Sequence, residues 1–246
     1  MEKATARINK AVANGEKITV YGDYDVDGIT SVVVLYRYLT SVGAKVDYYI
    51  PDRTEEGYGL NTAALRSIYE SGTSLIVTVD TGTTAVEEIA EAEGYGLDVI
   101  VTDHHECKSE LPQAIALVDP HRKDQPQPVT EMAGVGVAFK LAAAIEGEQE
   151  TLLDQYCDFL CLGTVADVMP LTGENRTMVA RGLKALENPR RVGIAALMAE
   201  CSVQKGPVTA GTIGYTLAPR INAAGRMGEV LSLIHISEPT RHLRIS

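Results

Sequence analysis

The most constraining feature of this 246-residue chain is a repeated alternation in its first two thirds. Short β-branched runs recur about every 25 residues, with amphipathic stretches between them. The runs Lys17–Tyr21, Ala44–Ile50, Ser74–Val79, Asp98–Thr102 and Ala114–Val118 read as strands. Between them Ile29–Val42, Asn61–Ser71 and Thr83–Glu93 carry apolar residues three and four apart, as helices covering a sheet do. Strands alternating with helices build βαβ units, so the expected fold is a doubly wound α/β parallel sheet of about five strands flanked by helices. After Asp119 a Pro-rich connector, His121 to Val129, leads into helices at Gly134–Ile145, Leu152–Val165, Arg176–Glu187 and Val192–Cys201. The sheet is expected to be complete by about residue 118, and no later segment reads as a strand.

Composition narrows what such a fold can do. Lys plus Arg number 22 against 33 Asp plus Glu, and a net charge of −11 argues against holding nucleic acid by bulk electrostatics. A polyanionic substrate then needs placed arginines or bound divalent cations. No apolar run approaches the ~18 residues of a spanning helix. The N-terminal segment is charged and has no apolar signal core, so a cytoplasmic location without membrane contact is expected. The four cysteines form no CxxC pair and read as reduced, mostly buried thiols.

In an open parallel sheet the ligand site lies beyond the carboxyl ends of the strands. Here those ends are acidic: Asp23, Asp25 and Asp27 follow the first strand, Asp80 the third, Asp103-His104-His105 the fourth, and Asp119-Pro120-His121 the fifth. One such Asp is ordinarily a cap or turn residue. Several converging at one rim, with imidazoles, describe a dinuclear site for Mg²⁺ or Mn²⁺. An EF-hand does not fit the DYDVDG run, because Val34 stands where its bidentate Glu belongs.

The ordered set GDYDVDG (22–28), VDTG (79–82), TDHHE (102–106) and GTVADVMPL (163–171) resembles the motifs of the DHH phosphoesterase superfamily. IPDRTEEGYGLN (50–61), AGVGVAFK (133–140) and PRINAAGRMG (219–228) are similar to RecJ-type exonucleases. The resemblance implies that Asp25, Asp27, Asp80, His104 and Asp167 hold two divalent cations, Mn²⁺ or Mg²⁺, with Asp80 between them. Tyr21 replaces a His found in other branches, which leaves one position for water or Asp23. His105 then faces the phosphate, Asp103 orients a histidine, and Arg226, placed in a small-residue loop, contacts the scissile phosphate. Arg53 would take a terminal phosphate, while Asn222 and the helix start at Gly134 and Gly136 would contribute to substrate binding.

The implied activity is 5′→3′ exonuclease action on single-stranded DNA in repair and recombination, with water as nucleophile. It implies a monomer, with a single-strand-binding protein or a helicase as partners. Alternatives are a phosphodiesterase for short oligonucleotides or cyclic dinucleotides, and an inactive nucleic-acid-binding module. The expected divisions are a catalytic α/β domain at 1–170, a helical connector toward a further domain at 171–231, and a tail at 232–246 that fits no pattern and reads as non-native.

Overall fold

The computed structural model of the protein describes residues 1–52, 56–124, 131–203 and 206–226. Five strands, β1 (Lys17–Tyr21), β2 (Lys45–Tyr49), β3 (Thr73–Val79), β4 (Asp98–Thr102) and β5 (Ala116–Val118), form one parallel sheet in the order β2-β1-β3-β4-β5. Helices α1 (Glu2–Asn14), α2 (Val26–Ser41), α3 (Thr62–Glu70), α4 (Val86–Gly94), α5 (Gly134–Glu146) and α6 (Glu150–Ala166) surround it. Alternate residues along the strands face opposite layers. Ile18, Val20, Leu75, Val77, Val79 and Ile100 join α1, α2, α5 and α6 in the larger core, whereas Tyr21, Ile76, Val99 and Val101 join α3 and α4 in the smaller one. Helix α2 leaves β1 toward one face and α4 leaves β3 toward the other, so the β1–β3 junction is the switch point, the place at which open parallel sheets bind their ligands.

After the sheet come α7 (Gly173–Leu186), α8 (Val192–Glu200), α9 (Ala210–Thr212), a π-helical turn at Ile213–Leu217 and α10 (Ala218–Arg226). Met178, Ile194, Ile213, Leu217 and Ile221 belong to the same apolar core as α2 and α5, so packing is continuous across residue 170. Among the described residues nothing beyond Val118 forms a strand, and no helix is long and apolar enough to cross a membrane.

Two local expectations change, and one helix was not anticipated. The charged N-terminus is an amphipathic helix, α1, whose Ala4, Ile8 and Ala11 are fully buried. The helix expected from Thr83 starts at Val86, because the Thr83 amide donates to Asp103 Oδ2 (2.9 Å) and its hydroxyl to Asp119 Oδ2 (2.7 Å). The small-residue segment around Arg226, read as a loop, is the end of α10. Pro219 has no N–H for the carbonyl four residues back and crowds it, and the wider π turn lies immediately before it. Residues 125–130, which include most of the Pro-rich connector, and residues 227–246, which include the whole 232–246 tail, lie outside the described residues.

Candidate metal centre

The loop after β1 is held by its own carboxylates. Asp25 is the N-cap of α2, its Oδ1 accepting from the Gly28 amide at 2.9 Å. Asp27, in the first turn of that helix and 2% exposed, reaches across to α5. Its Oδ2 accepts from the Gly134 amide (2.6 Å) and its Oδ1 from the Val135 amide (3.0 Å). The expectation that the amides at Gly134 and Gly136 receive a phosphate is therefore corrected. A carboxylate from the chain itself takes the helix start, where the backbone dipole favours negative charge, and the Gly136 amide donates to Ala133 O at 2.9 Å.

The glycines are needed for close approach. A Cβ on Gly134 would lie 2.6 Å from Asp80 Cβ, and one on Gly163 would lie 2.7 Å from Asp27 Oδ1. Gly134→Ala is accordingly expected to displace Asp80, costing ~1–3 kcal/mol of stability from overpacking. Mn²⁺ affinity should fall about 10- to 100-fold, as when the support of a ligand is lost. Titration with Mn²⁺ checks this; unchanged affinity would show that this contact does not set the position of Asp80.

Asp80 follows β3 at φ 59°, a left-handed backbone that Asp tolerates better than most residues. Three sets of side chains bring possible ligand atoms within 4.8 Å of one another: Asp80, His104 and His105; Asp27, His104 and Asp167; Asp23, Asp25 and Asp80. Asp80 and His104 each belong to two sets, so neighbouring cation positions would share ligands. His104 Nε2 lies 3.0 Å from Asp80 Oδ1 and 3.7 Å from both Asp27 Oδ2 and Asp167 Oδ2. The 3.0 Å approach is not aligned as a hydrogen bond, and Asp80 Oδ1 is buried with no hydrogen-bond partner among the described residues. An orphaned carboxylate oxygen this deep fits the role of a cation ligand.

The electrostatics agree. Burial and the charges of neighbouring carboxylates hold Asp27 and Asp80 well above the usual carboxylate range, and the same causes bring Asp167 to about 6. Burial pushes His104 down to about 4, so at neutral pH its ring is uncharged and offers a lone pair. Oxygen ligands with neutral imidazole suit Mn²⁺, and the oxygen-only positions suit Mg²⁺.

His105 is set differently. Its Nδ1 is 2.7 Å from Asp103 Oδ1, an oxygen that also accepts from the His104 amide at 2.7 Å. The Asp103 hydrogen bond raises His105 to about 9 against the opposing effect of burial. Burial pushes Asp103 up, but its bonds to His105 and to the Thr83 and His104 amides outweigh this and leave it lowered. Tyr58 Oη lies 3.2 Å from His105 Nε2, and Tyr58 is 55% exposed at this rim. A partly exposed, protonated imidazole beside the carboxylate cluster can donate to a phosphoryl oxygen or to a leaving oxygen.

The DHH family, N-terminal domain, matches residues 17–164, which contain β1 to β5 and most of this centre. The chain belongs to the DHH family. It is 47% identical over 236 residues to the single-stranded-DNA-specific exonuclease RecJ of Bacillus subtilis, covering 96% of this chain and 30% of that protein. With the RecJ of Escherichia coli identity is 36% over 244 residues, covering 94% of this chain and 42% of that protein. The chain thus spans less than half the length of these relatives. Two solved structures are similar: exonuclease RecJ bound to manganese (TM-score 0.85, 35% identity, 96% of this chain and 60% of that one) and Thermus thermophilus RecJ with Mn²⁺ (TM-score 0.81, 33% identity, 96% and 34%).

Within this DHH centre the structure brings Asp25, Asp27, Asp80, His104, His105 and Asp167 together and adds Asp23, which is 4% exposed. Asp167 arrives as the C-cap of α6, followed by Val168 at φ 58° where glycine is usual. Asp119 stands outside the three sets, tied to Thr83 and to the His121 amide, and His121 Nδ1 lies 3.7 Å from it. Asn222, expected to bind substrate, accepts from the Val26 amide at 3.1 Å and so joins α10 to the start of α2. Arg53 lies outside the described residues, as does the side chain of Arg226. Spacing alone did not single out Thr83 and Val135, whose amides fix Asp103 and Asp27; a residue that contributes only its backbone N–H leaves no mark in residue type.

Proposed function

We propose that this chain carries the catalytic centre of a metal-dependent phosphodiester hydrolase that removes nucleotides from single-stranded DNA, starting at the 5′ end, in repair and recombination. The observation that carries the reading is the buried, unpartnered Asp80 Oδ1 where ligand sets overlap, in a chain whose relatives are named single-stranded-DNA-specific exonucleases. Asp25, Asp27, Asp80, His104 and Asp167, with Asp23 close by, would hold two divalent cations, Mn²⁺ or Mg²⁺. When bound, such a pair supplies Lewis acidity to the phosphoryl oxygens and makes water a stronger nucleophile.

The chain's own groups position the substrate. His105, held by Asp103, donates from Nε2 to the scissile phosphate or to the leaving oxygen. Arg53 takes a terminal phosphate, and Arg226, at the end of α10, takes the scissile one. Asn222 acts by holding α10 against the Asp25 loop. We read residues 171–231 as the connector toward a further domain and 232–246 as a non-native tail. We also read the protein as a cytoplasmic monomer whose single strands are presented by a helicase or a single-strand-binding protein.

A Mn²⁺-dependent digestion assay comparing 5′-labelled and 3′-labelled single strands, a duplex and a dinucleotide tests this. Release of mononucleotides from the 5′ end of the single strand is expected. Cleavage of the dinucleotide alone would transfer the reading to a short-oligonucleotide phosphodiesterase, and no cleavage of any substrate would overturn it.

A further inference from the structure

A group of basic residues lies along α2 and α6 from the metal centre. Where α6, α7 and the start of α8 meet the last turns of α2, a cavity of about 860 Å³ opens. Arg37, Arg181, Lys184, Arg190 and Arg191 line it against two carboxylates, Asp154 and Asp158, so its charge is opposite in sign to that of the whole chain. Arg37 follows Asp27 by ten residues on α2 and Asp158 precedes Asp167 by nine on α6. At the 1.5 Å rise of a helix, the cavity is displaced roughly 15 Å along both helices from the metal centre.

The two acids are already engaged. Asp158 Oδ2 accepts from Arg191 Nε at 2.7 Å, while Arg191 Nη2 donates to Gln155 O at 2.6 Å and its guanidinium lies 4.3 Å from the centroid of the Phe159 ring. Asp154 Oδ1 accepts from Arg181 Nη1 at 3.1 Å, and Arg181 Nη2 also meets Glu150 at 2.8 Å. Lys184 and Arg190, both exposed, make no hydrogen bond or ion pair among the described residues. Arginines held by carboxylates, next to uncompensated cations in a cavity large enough for a nucleotide, form a preorganised receptor for a phosphomonoester. We propose that this cavity binds a phosphate-bearing small molecule of nucleotide size, separately from the metal centre and independently of hydrolysis.

Calorimetric titration of the chain, freed of metal by a chelating resin, with dAMP, inorganic phosphate and an oligothymidylate tests the assignment. Removing the metal takes away metal-held phosphate binding at the carboxylate cluster, and the cavity substitutions separate what remains from any contact to Arg53 or Arg226, so failure here leaves the hydrolase reading untouched. Saturable 1:1 binding of dAMP is expected, and Lys184→Glu with Arg190→Glu should weaken it at least about tenfold, since each cation would make a charge-assisted bond to the phosphate. Lys184→Ala with Arg190→Ala, which introduces no repulsion, should weaken it in the same direction. Absence of dAMP saturation up to ~1 mM overturns the proposal, as does equal affinity in both double variants. Binding of the oligothymidylate alone, weakened by the same substitutions, would make the face a track for a strand and would also overturn it.

Discussion

Asp80→Asn is expected to abolish Mn²⁺-dependent digestion while leaving the fold intact. Asparagine keeps the shape of the side chain and tolerates the left-handed backbone at φ 59°, where alanine would add about 1–2 kcal/mol of strain. What it removes is the negative charge of a carboxylate that belongs to two of the three ligand sets. Loss of a group that merely supports a ligand costs about 10- to 100-fold, so loss of a shared ligand should exceed ~100-fold in kcat. The metal-free variant should melt at or above the wild-type temperature at pH 7. The Asp80 carboxyl is held above its usual range, so its ionisation opposes the folded state, and a neutral amide removes that opposition. Mn²⁺ stoichiometry, kcat and thermal melting together check the argument; near-wild-type kcat would end the assignment of Asp80 as a shared ligand.

Features written in contiguous residues were readable. Strands β1 and β4 coincide with the β-branched runs Lys17–Tyr21 and Asp98–Thr102, because strands buried on both faces leave little besides Val, Ile and Thr in the sequence. The carboxylates after β1 and β3 and the histidines after β4 followed from the geometry of parallel sheets. Asp167 did not, since it comes from the end of α6 and only the family resemblance pointed to it. Helix α1 was hidden because its buried stripe, Ala4, Ile8 and Ala11, is thin and set among charges. The start of α5 could equally have taken a phosphate, and no periodicity reveals that Asp27, 107 residues earlier, takes it instead. Fold and strand-end chemistry are local, whereas hydrogen bonds between distant segments become visible only once the chain is folded.

Asp103→Asn should separate proton chemistry from metal binding. Asp103 stands in none of the three ligand sets, yet its Oδ1 holds His105 Nδ1 at 2.7 Å and is the main reason His105 reaches about 9. With that charge gone, His105 should fall back toward its ordinary value of about 6.5. If a protonated His105 serves the scissile phosphate, wild-type activity persists up to about pH 9 and declines as the imidazolium is lost. In the variant the alkaline limb should move down by a pH unit or more. At pH 8 kcat should drop by about 10- to 100-fold, as for loss of a group that orients a catalytic histidine. Mn²⁺ affinity should change by only a few-fold, because the asparagine oxygen can still accept from the Thr83 or His104 amide and keep the loop in place. A lower kcat with an unmoved alkaline limb would mean that Asp103 only braces the loop. A matching loss of Mn²⁺ affinity would mean that it holds His104 in register for the metal; the pH profile and the metal titration therefore assign its role between them.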